Sequence, residues 1–483
     1  MSTTRVSRFI RAARPAALFA LVAAAAVPAV AQRPTLSRAV MPYVSIDTAV
    51  VALTHVRVID GTGAAPMDNQ TVVIRDGNIA ALGPSGSVAV PAGAQVLDLT
   101  GKSVIPGLVM MHEHLFYPTG PGVYGNDYTS FTRLYLAGGV TSMRTTGNVG
   151  GYGDLRVAAA IKAGDMPGPW IDATAPYVQG PSGFSQMYAL KDSADARRYV
   201  NFWADAGATS FKAYMNITRP ELAAAIDAAH KRGLKVTGHL CSVTYREAAD
   251  LGIDDLEHGF FVATDFVKDK EPDLCPGQAQ GMQALATVDT GSAEFKALVQ
   301  HLIAKHVAVT STLTVFETFT PGQPLPPGID VLDPLLLEQF LRNYDRTQRN
   351  PNSIYKKLFA EDRAMEVAFV RAGGLLLAGT DPTGGGGVIP GYSDQRQAEL
   401  LVGSGFTPLE AIRICTLNGA TYMGRADRVG SIAMGKQADL VVIDGNPAAN
   451  IDDIARVQLV FKQGVGYDPR KLIESVKGSV GLY

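Results

Sequence analysis

Gly107-Leu108-Val109-Met110-Met111-His112-Glu113-His114 is the stretch that decides the fold. An apolar run leads straight into two histidines spaced two apart. Such a run reads as a strand buried on both faces, as parallel sheets require. Residues two apart on a strand face the same side, so both imidazoles point together at the strand's carboxyl end. The chain has only eight histidines, which makes a His-x-His pair less casual.

Outward from this strand, the region 105–425 alternates strand and helix. Candidate strands cover 105–115, 139–146, 170–177, 209–215, 235–241, 254–261, 307–316 and 374–381, eight in all. Between them, Leu222, Ile226 and Ala229 repeat at helical spacing behind Thr218 and Glu221, a capping-box pair. Thr407 and Glu410 have the same spacing, with Pro408 at the first helical position. Eight such units predict an α/β fold, a (β/α)8 TIM-type barrel; a doubly wound open sheet is the alternative. Two long interruptions, 264–282 and 318–354, each follow a strand and are expected to act as lids on the active-site face.

Both ends of the chain are rich in short strands. Val56-Arg57-Val58-Ile59 stops at Asp60-Gly61, and Thr71-Val72-Val73-Ile74 stops at Asp76-Gly77, a hairpin signal. Similar runs return at 439–444 and 457–461. Together they predict one small β-sandwich domain, built from 50–104 and 426–475, around a barrel of 105–425. Residues 1–31 read as a signal peptide: Arg5, Arg8, Arg11 and Arg14, an apolar run from Ala16 to Val27, then Ala29-Val30-Ala31. The run is shorter than the roughly 20 residues that span a bilayer. The expectation is a periplasmic or secreted protein with no membrane attachment after signal removal. Cleavage takes four arginines and no acid, moving the formal charge from −2 to −6. With no basic patch, nucleic acid is excluded as a partner; a homo-oligomer is compatible with the sequence. Cys241, Cys275 and Cys415 are odd in number and scattered, so they read as core or loop residues and not as a disulfide framework.

His239, His258 and Asp381 each fall at the predicted carboxyl end of a different strand, where a barrel places its catalytic groups. Four imidazoles and a carboxylate suit a transition metal such as zinc. Lys212 ends another strand. Its ammonium, with an ordinary pKa of about 10.4, would repel metal ions. Either the amine is deprotonated, or carbon dioxide turns it into a carbamate whose two oxygens bridge two metals; a lysine reaching to solvent at the barrel's end is the alternative.

With Ile105-Pro106-Gly107-Leu108 before His-x-His, Gly139-Val140-Thr141-Ser142-Met143-Arg144, Ala378-Gly379-Thr380-Asp381, and 430–442 returning to the small domain, the chain resembles the amidohydrolase superfamily, among its imidazolonepropionase-like and dipeptidase-like secreted members. The resemblance implies His112, His114 and Asp381 on one metal, His239 and His258 on a second, and a carboxylated Lys212 between two divalent ions, zinc being expected. One departure is the stretch 175–183, which lacks the histidine that many dipeptidase-like relatives carry after the third strand.

The implied reaction is hydrolysis of the amide C–N bond of a small substrate, such as a dipeptide or N-acyl amino acid, by a metal-bridging hydroxide. Asp381 would shuttle the proton. Tyr214 would help the carbonyl oxygen, or simply pack the barrel. Arg144, Tyr177 and Gln179 are candidate substrate contacts, with a structural ion pair as the other role for Arg144. A lactone, ester or phosphoester substrate would use the same centre, and a non-catalytic binding protein is the third reading. Gly384 to Gly387 lack the lysine of a phosphate-binding loop.

Overall fold

The apolar runs in the middle of the chain fold as short parallel strands. They are β1 (Leu108–Glu113), β2 (Val140–Thr145), β3 (Trp170–Asp172), β4 (Ser210–Met215), β5 (Lys235–Leu240), β6 (Asp255–Glu257), β7 (Ala308–Ser311) and β8 (Leu376–Ala378). β1, β2 and β3 pair in order, as do β4 to β8. The two sheets meet where Thr174 bridges Ser210, with Ala175 N donating to Ser210 O at 3.0 Å. On the other side, Thr380 N and Asp381 N both donate to His112 O at 3.0 Å, bringing the end of β8 onto β1. Gly379 permits that approach: a Cβ there would lie 2.5 Å from the His112 nitrogen. The architecture is the (β/α)8 barrel. The computed structural model describes residues 1–2, 33–120, 122–181 and 184–481. Apart from Met1 and Ser2, the expected signal peptide lies outside the described residues. Among those described, no helix is long and apolar enough to cross a membrane.

Helices follow the strands, including Tyr128–Ala137, Arg219–His230, Ala293–Ala304 and Tyr392–Ser404. Thr218 with Glu221, and Thr407 with Glu410, form complete capping boxes; a side-chain cap of this kind contributes about 1 kcal/mol. The two chain ends build a single nine-stranded sheet, joined where Ser103–Pro106 runs antiparallel to Leu440–Ile443. Its inner face closes on one apolar cluster that includes Val51, Leu53, Val72, Leu440 and Phe461. Ile105 and Pro106 belong to this sheet, so the expected strand 105–115 is divided at Gly107 between the two parts of the chain.

Several expectations are corrected. The strand expected at 254–261 stops at Glu257, where His258 takes a left-handed φ of 71°. The one expected at 307–316 stops at Ser311 and becomes the helix Leu313–Phe319. The interruption 318–354 contains a helix, Pro334–Gln348, capped by Asp333. Cys241 and Cys275 are disulfide-bonded, with Cα atoms 4.9 Å apart, and of the three cysteines only Cys415 is free. The bridge arises because the insert 264–282 folds back over the end of β5, a proximity that sequence spacing conceals.

Candidate active site

The carboxyl ends of β1, β4, β5, β6 and β8 bring His112, His114, Lys212, Tyr214, His239, His258 and Asp381 to one place. All but His112 line a single cavity of about 190 Å³. His112, His114 and Asp381 place their ligand atoms within 4.8 Å of one another. His114 Nε2 lies 3.2 Å from Asp381 Oδ1, and His112 Nε2 lies 3.1 Å from Lys212 Nζ. The His258 ring is 4.5 Å from that of His112 and 4.4 Å from that of His239, measured between centroids. All six sequence-predicted ligands therefore meet. Asp381 and His258 both follow their strands in left-handed backbone, φ 55° and 71°. Such conformations cost energy and gather at functional sites.

Neighbouring groups aim the imidazoles. His114 Nδ1 donates to Gly147 O at 3.1 Å, which leaves Nε2 as the acceptor facing Asp381. His112 Nδ1 donates to Glu257 Oε2 at 2.7 Å. His258 Nδ1 lies 2.8 Å from Thr312 Oγ1. Among the described residues, His258 Nε2 is buried without a hydrogen-bond partner. Outer contacts of this kind fix ring orientation and tautomer at metal sites.

Burial governs the charges. It lowers His112 to about 4 and His239 to about 3, in both cases with help from the Lys212 charge, and it takes His258 well below the usual imidazole range. Burial also lowers Lys212 to about 8, against the opposing pull of Glu257 and Asp381. For Asp381, burial acts upward, but the adjoining His114 and the other surrounding imidazoles hold the carboxyl well below its ordinary value. Near neutral pH the site thus offers neutral nitrogens, one carboxylate and a partly neutral amine. Divalent metal binding requires neutral imidazoles and an ionised carboxylate, and the unpartnered His258 nitrogen has a lone pair that a metal would engage. The residues fit a metal centre.

Tyr177 and Tyr214 both line the cavity, with ring centroids 4.9 Å apart. Two expected substrate contacts are corrected. Arg144 is buried below the site, donating to Asp255 Oδ2 at 2.8 Å, Glu257 Oε1 at 2.9 Å and Met111 O at 2.9 Å. It therefore takes the structural ion-pair role. Gln179 is buried away from the cavity lining, its backbone carbonyl accepting from Leu190 N at 2.9 Å. Sequence reasoning missed Glu257, which orients His112, and Thr383, whose hydroxyl donates to Asp381 Oδ1 at 2.8 Å. The signal for Glu257 was Asp255-Leu256-Glu257: two acids on one face of a buried strand need a buried cation or donor.

Residues 347–466 match the Amidohydrolase family. Over 422 residues the chain is 24% identical to an imidazolonepropionase of Porphyromonas gingivalis, covering 81% of this chain and 85% of that one. A dihydroorotase of Trichlorobacter lovleyi is 42% identical over 77 residues, a match that spans 16% of this chain and 17% of that protein. A structure from Bifidobacterium longum, provisionally described as a prolidase, superposes with a TM-score of 0.63 at 26% identity, covering 88% of this chain and 98% of that one.

Proposed function

The chain is a member of the amidohydrolase superfamily, and from that premise we propose that it is a binuclear metal-dependent hydrolase cleaving the amide C–N bond of small substrates, with dipeptides and N-acyl amino acids as the first class to test. The observation that carries this reading is the convergence of four imidazoles, one carboxylate and one lysine amine at the strands' carboxyl ends. In this proposal His112, His114 and Asp381 hold one divalent ion, His239 and His258 hold a second, and a carboxylated Lys212 serves both. Zinc is the expected metal for such donors. Bound metal supplies Lewis acidity toward a carbonyl and lowers the pKa of a coordinated water from about 15.7 to near 7.

The side chains do the rest. With its pKa lowered to about 8, Lys212 holds a share of neutral amine near physiological pH. That amine's lone pair adds to the carbon of carbon dioxide, a C–N bond forms, and one proton leaves to solvent, giving the carbamate. Asp381, held ionised, accepts the proton of the attacking water and passes it to the departing nitrogen. Thr383 keeps its Oδ1 in place. Burial raises the Tyr214 hydroxyl beyond its ordinary pKa, so it stays protonated and able to donate to the substrate carbonyl oxygen. The Cys241–Cys275 bridge favours a secreted or periplasmic setting, where disulfides persist.

The test is a panel of dipeptides, N-acyl amino acids, neutral amides, lactones, esters and phosphoesters, offered to the zinc-loaded protein. Release of amine, abolished by a chelator and restored by zinc, is the expected result. Good turnover of lactones or phosphoesters with no amide cleaved would overturn the amide reading.

A further inference from the structure

A second cavity, of about 480 Å³, opens beside the catalytic one. His239, Val262, Phe316 and Phe319 border both, so the two share a wall. Beyond that wall its lining is almost wholly apolar, with Phe184, Leu240, Phe261, Met282 and Tyr355 prominent. Phe261 stacks flat on Phe316 at a centroid distance of 3.6 Å, and Phe319 meets Tyr355 at 5.4 Å. Both disulfide-bonded cysteines, Cys241 and Cys275, line the cavity, so the bridge ties its outer side to the end of β5, two residues beyond His239. The volume suits a small-molecule group. Among the described residues, Lys212 is the one lysine or arginine lining either cavity, and it belongs to the metal site. Arg144 is committed to Asp255 and Glu257, and Lys270, whose Nζ donates to Ser242 O, does not line the annex.

We infer that this annex is a substrate subsite for a bulky, uncharged apolar group, an alkyl chain of several carbons or an aryl ring, carried on one side of the scissile bond. This rests on the reading of the catalytic site as an amide hydrolase and narrows it: carboxylate-free apolar amides are preferred over dipeptides and N-acyl amino acids. An apolar chain entering the annex leaves water for aromatic walls already held in place. A free carboxylate directed there would be desolvated with no cation to receive it.

Gly281 supplies the test. It lies within the helix Gln278–Leu285 and lines the annex, and a Cβ added to it meets no atom within 4 Å. Gly281→Phe and Gly281→Leu therefore add bulk at the annex lining with no clash at the Cβ, and a thermal melt matching that of the parent confirms that each folds. Two series are measured on the zinc-loaded protein: dissociation constants of methyl ketones from 2-butanone to 2-octanone by ligand-observed NMR, and kcat/KM for amides from butanamide to octanamide. The ketones have no cleavable C–N bond, so they report occupancy whether or not the protein hydrolyses amides.

The expected result is a gain of about threefold to fourfold per methylene, the figure for about 0.8 kcal/mol per buried CH2. Both Gly281 variants should flatten that dependence, and 7-carboxyheptanamide should be at least tenfold poorer than octanamide. No dependence on chain length, the same dependence in both variants, or a carboxylate substrate as good as the neutral one would overturn the inference. Length-dependent ketone binding without amide turnover would leave the subsite standing and remove the amide reaction; amide turnover without length dependence would do the reverse.

Discussion

Arg144→Met is expected to damage both the stability of the barrel and the aim of its metal ligands, although Arg144 touches neither cavity. The guanidinium is buried and bonds two carboxylates, Asp255 at 2.8 Å and Glu257 at 2.9 Å. Burial, with Glu257 beside it, raises Asp255 to about 7 even with Arg144 present, whereas Arg144 and His112 together overcome burial and keep Glu257 low. Methionine fills much of the same space but leaves two buried carboxylates without their cation. Breaking such an arrangement from one side costs about 3–5 kcal/mol. The variant can relieve this by protonating a carboxyl, so the loss should be larger at pH 8 than at pH 5.5. A protonated or displaced Glu257 no longer holds His112 Nδ1, and losing such an outer partner typically costs 10- to 100-fold in metal affinity. Denaturant unfolding followed by the fluorescence of Trp170 and Trp203 at both pH values, together with a zinc titration, reads both effects. A variant within about 1 kcal/mol of the parent at pH 8 (surface substitutions usually change stability by less than about 0.5 kcal/mol), with unchanged zinc affinity, would refute the reasoning.

Asp381→Asn removes both a ligand and the proposed proton carrier, so kcat for amide cleavage should fall by at least about 100-fold; undiminished turnover would remove Asp381 from the chemistry. Cys275→Ser opens a bridge that spans 34 residues, with an expected loss of about 2–4 kcal/mol by the loop-closure relation; identical melting of parent and variant, with and without reductant, would contradict it. Asp154 is raised to about 7 by burial, with a hydrogen bond from Thr145 opposing. From about pH 4 to 7 the folded chain keeps a proton that the unfolded chain has lost, so this group makes stability fall as pH rises through that window. Asp154→Asn should be the more stable protein at pH 8 by at least about 1 kcal/mol, with the advantage shrinking towards pH 5, and unfolding curves showing the same difference at both pH values would reject this.

The metal ligands were legible because each falls at the carboxyl end of a predicted strand, where a barrel gathers its catalytic groups. That logic needs no long-range information, so it reached His112, His114, His239, His258 and Asp381; for Lys212 it left a lysine reaching to solvent open, and the bridging role came from the family resemblance. It failed for Arg144 and Gln179, whose directions depend on what faces them across the barrel. Arg144 meets acids on β6, more than a hundred residues away in sequence, and only the closed barrel brings them together. The Cys241–Cys275 bridge was hidden in the same way. The helix Pro334–Gln348 did carry a local signal, Asp333-Pro334 ahead of Leu336 and Phe340, which are its two buried residues. The proline-rich segment before it concealed the start. The annex was not legible at all: its walls come from seven separate stretches of chain, each ordinary by itself.

The metal content of the purified protein, measured by mass spectrometry beside that of Lys212→Ala, tests the central claim most directly. The account predicts two divalent ions per chain in the parent, with at least one lost when Lys212 is replaced. A single ion in the parent, retained in full by Lys212→Ala, would contradict it.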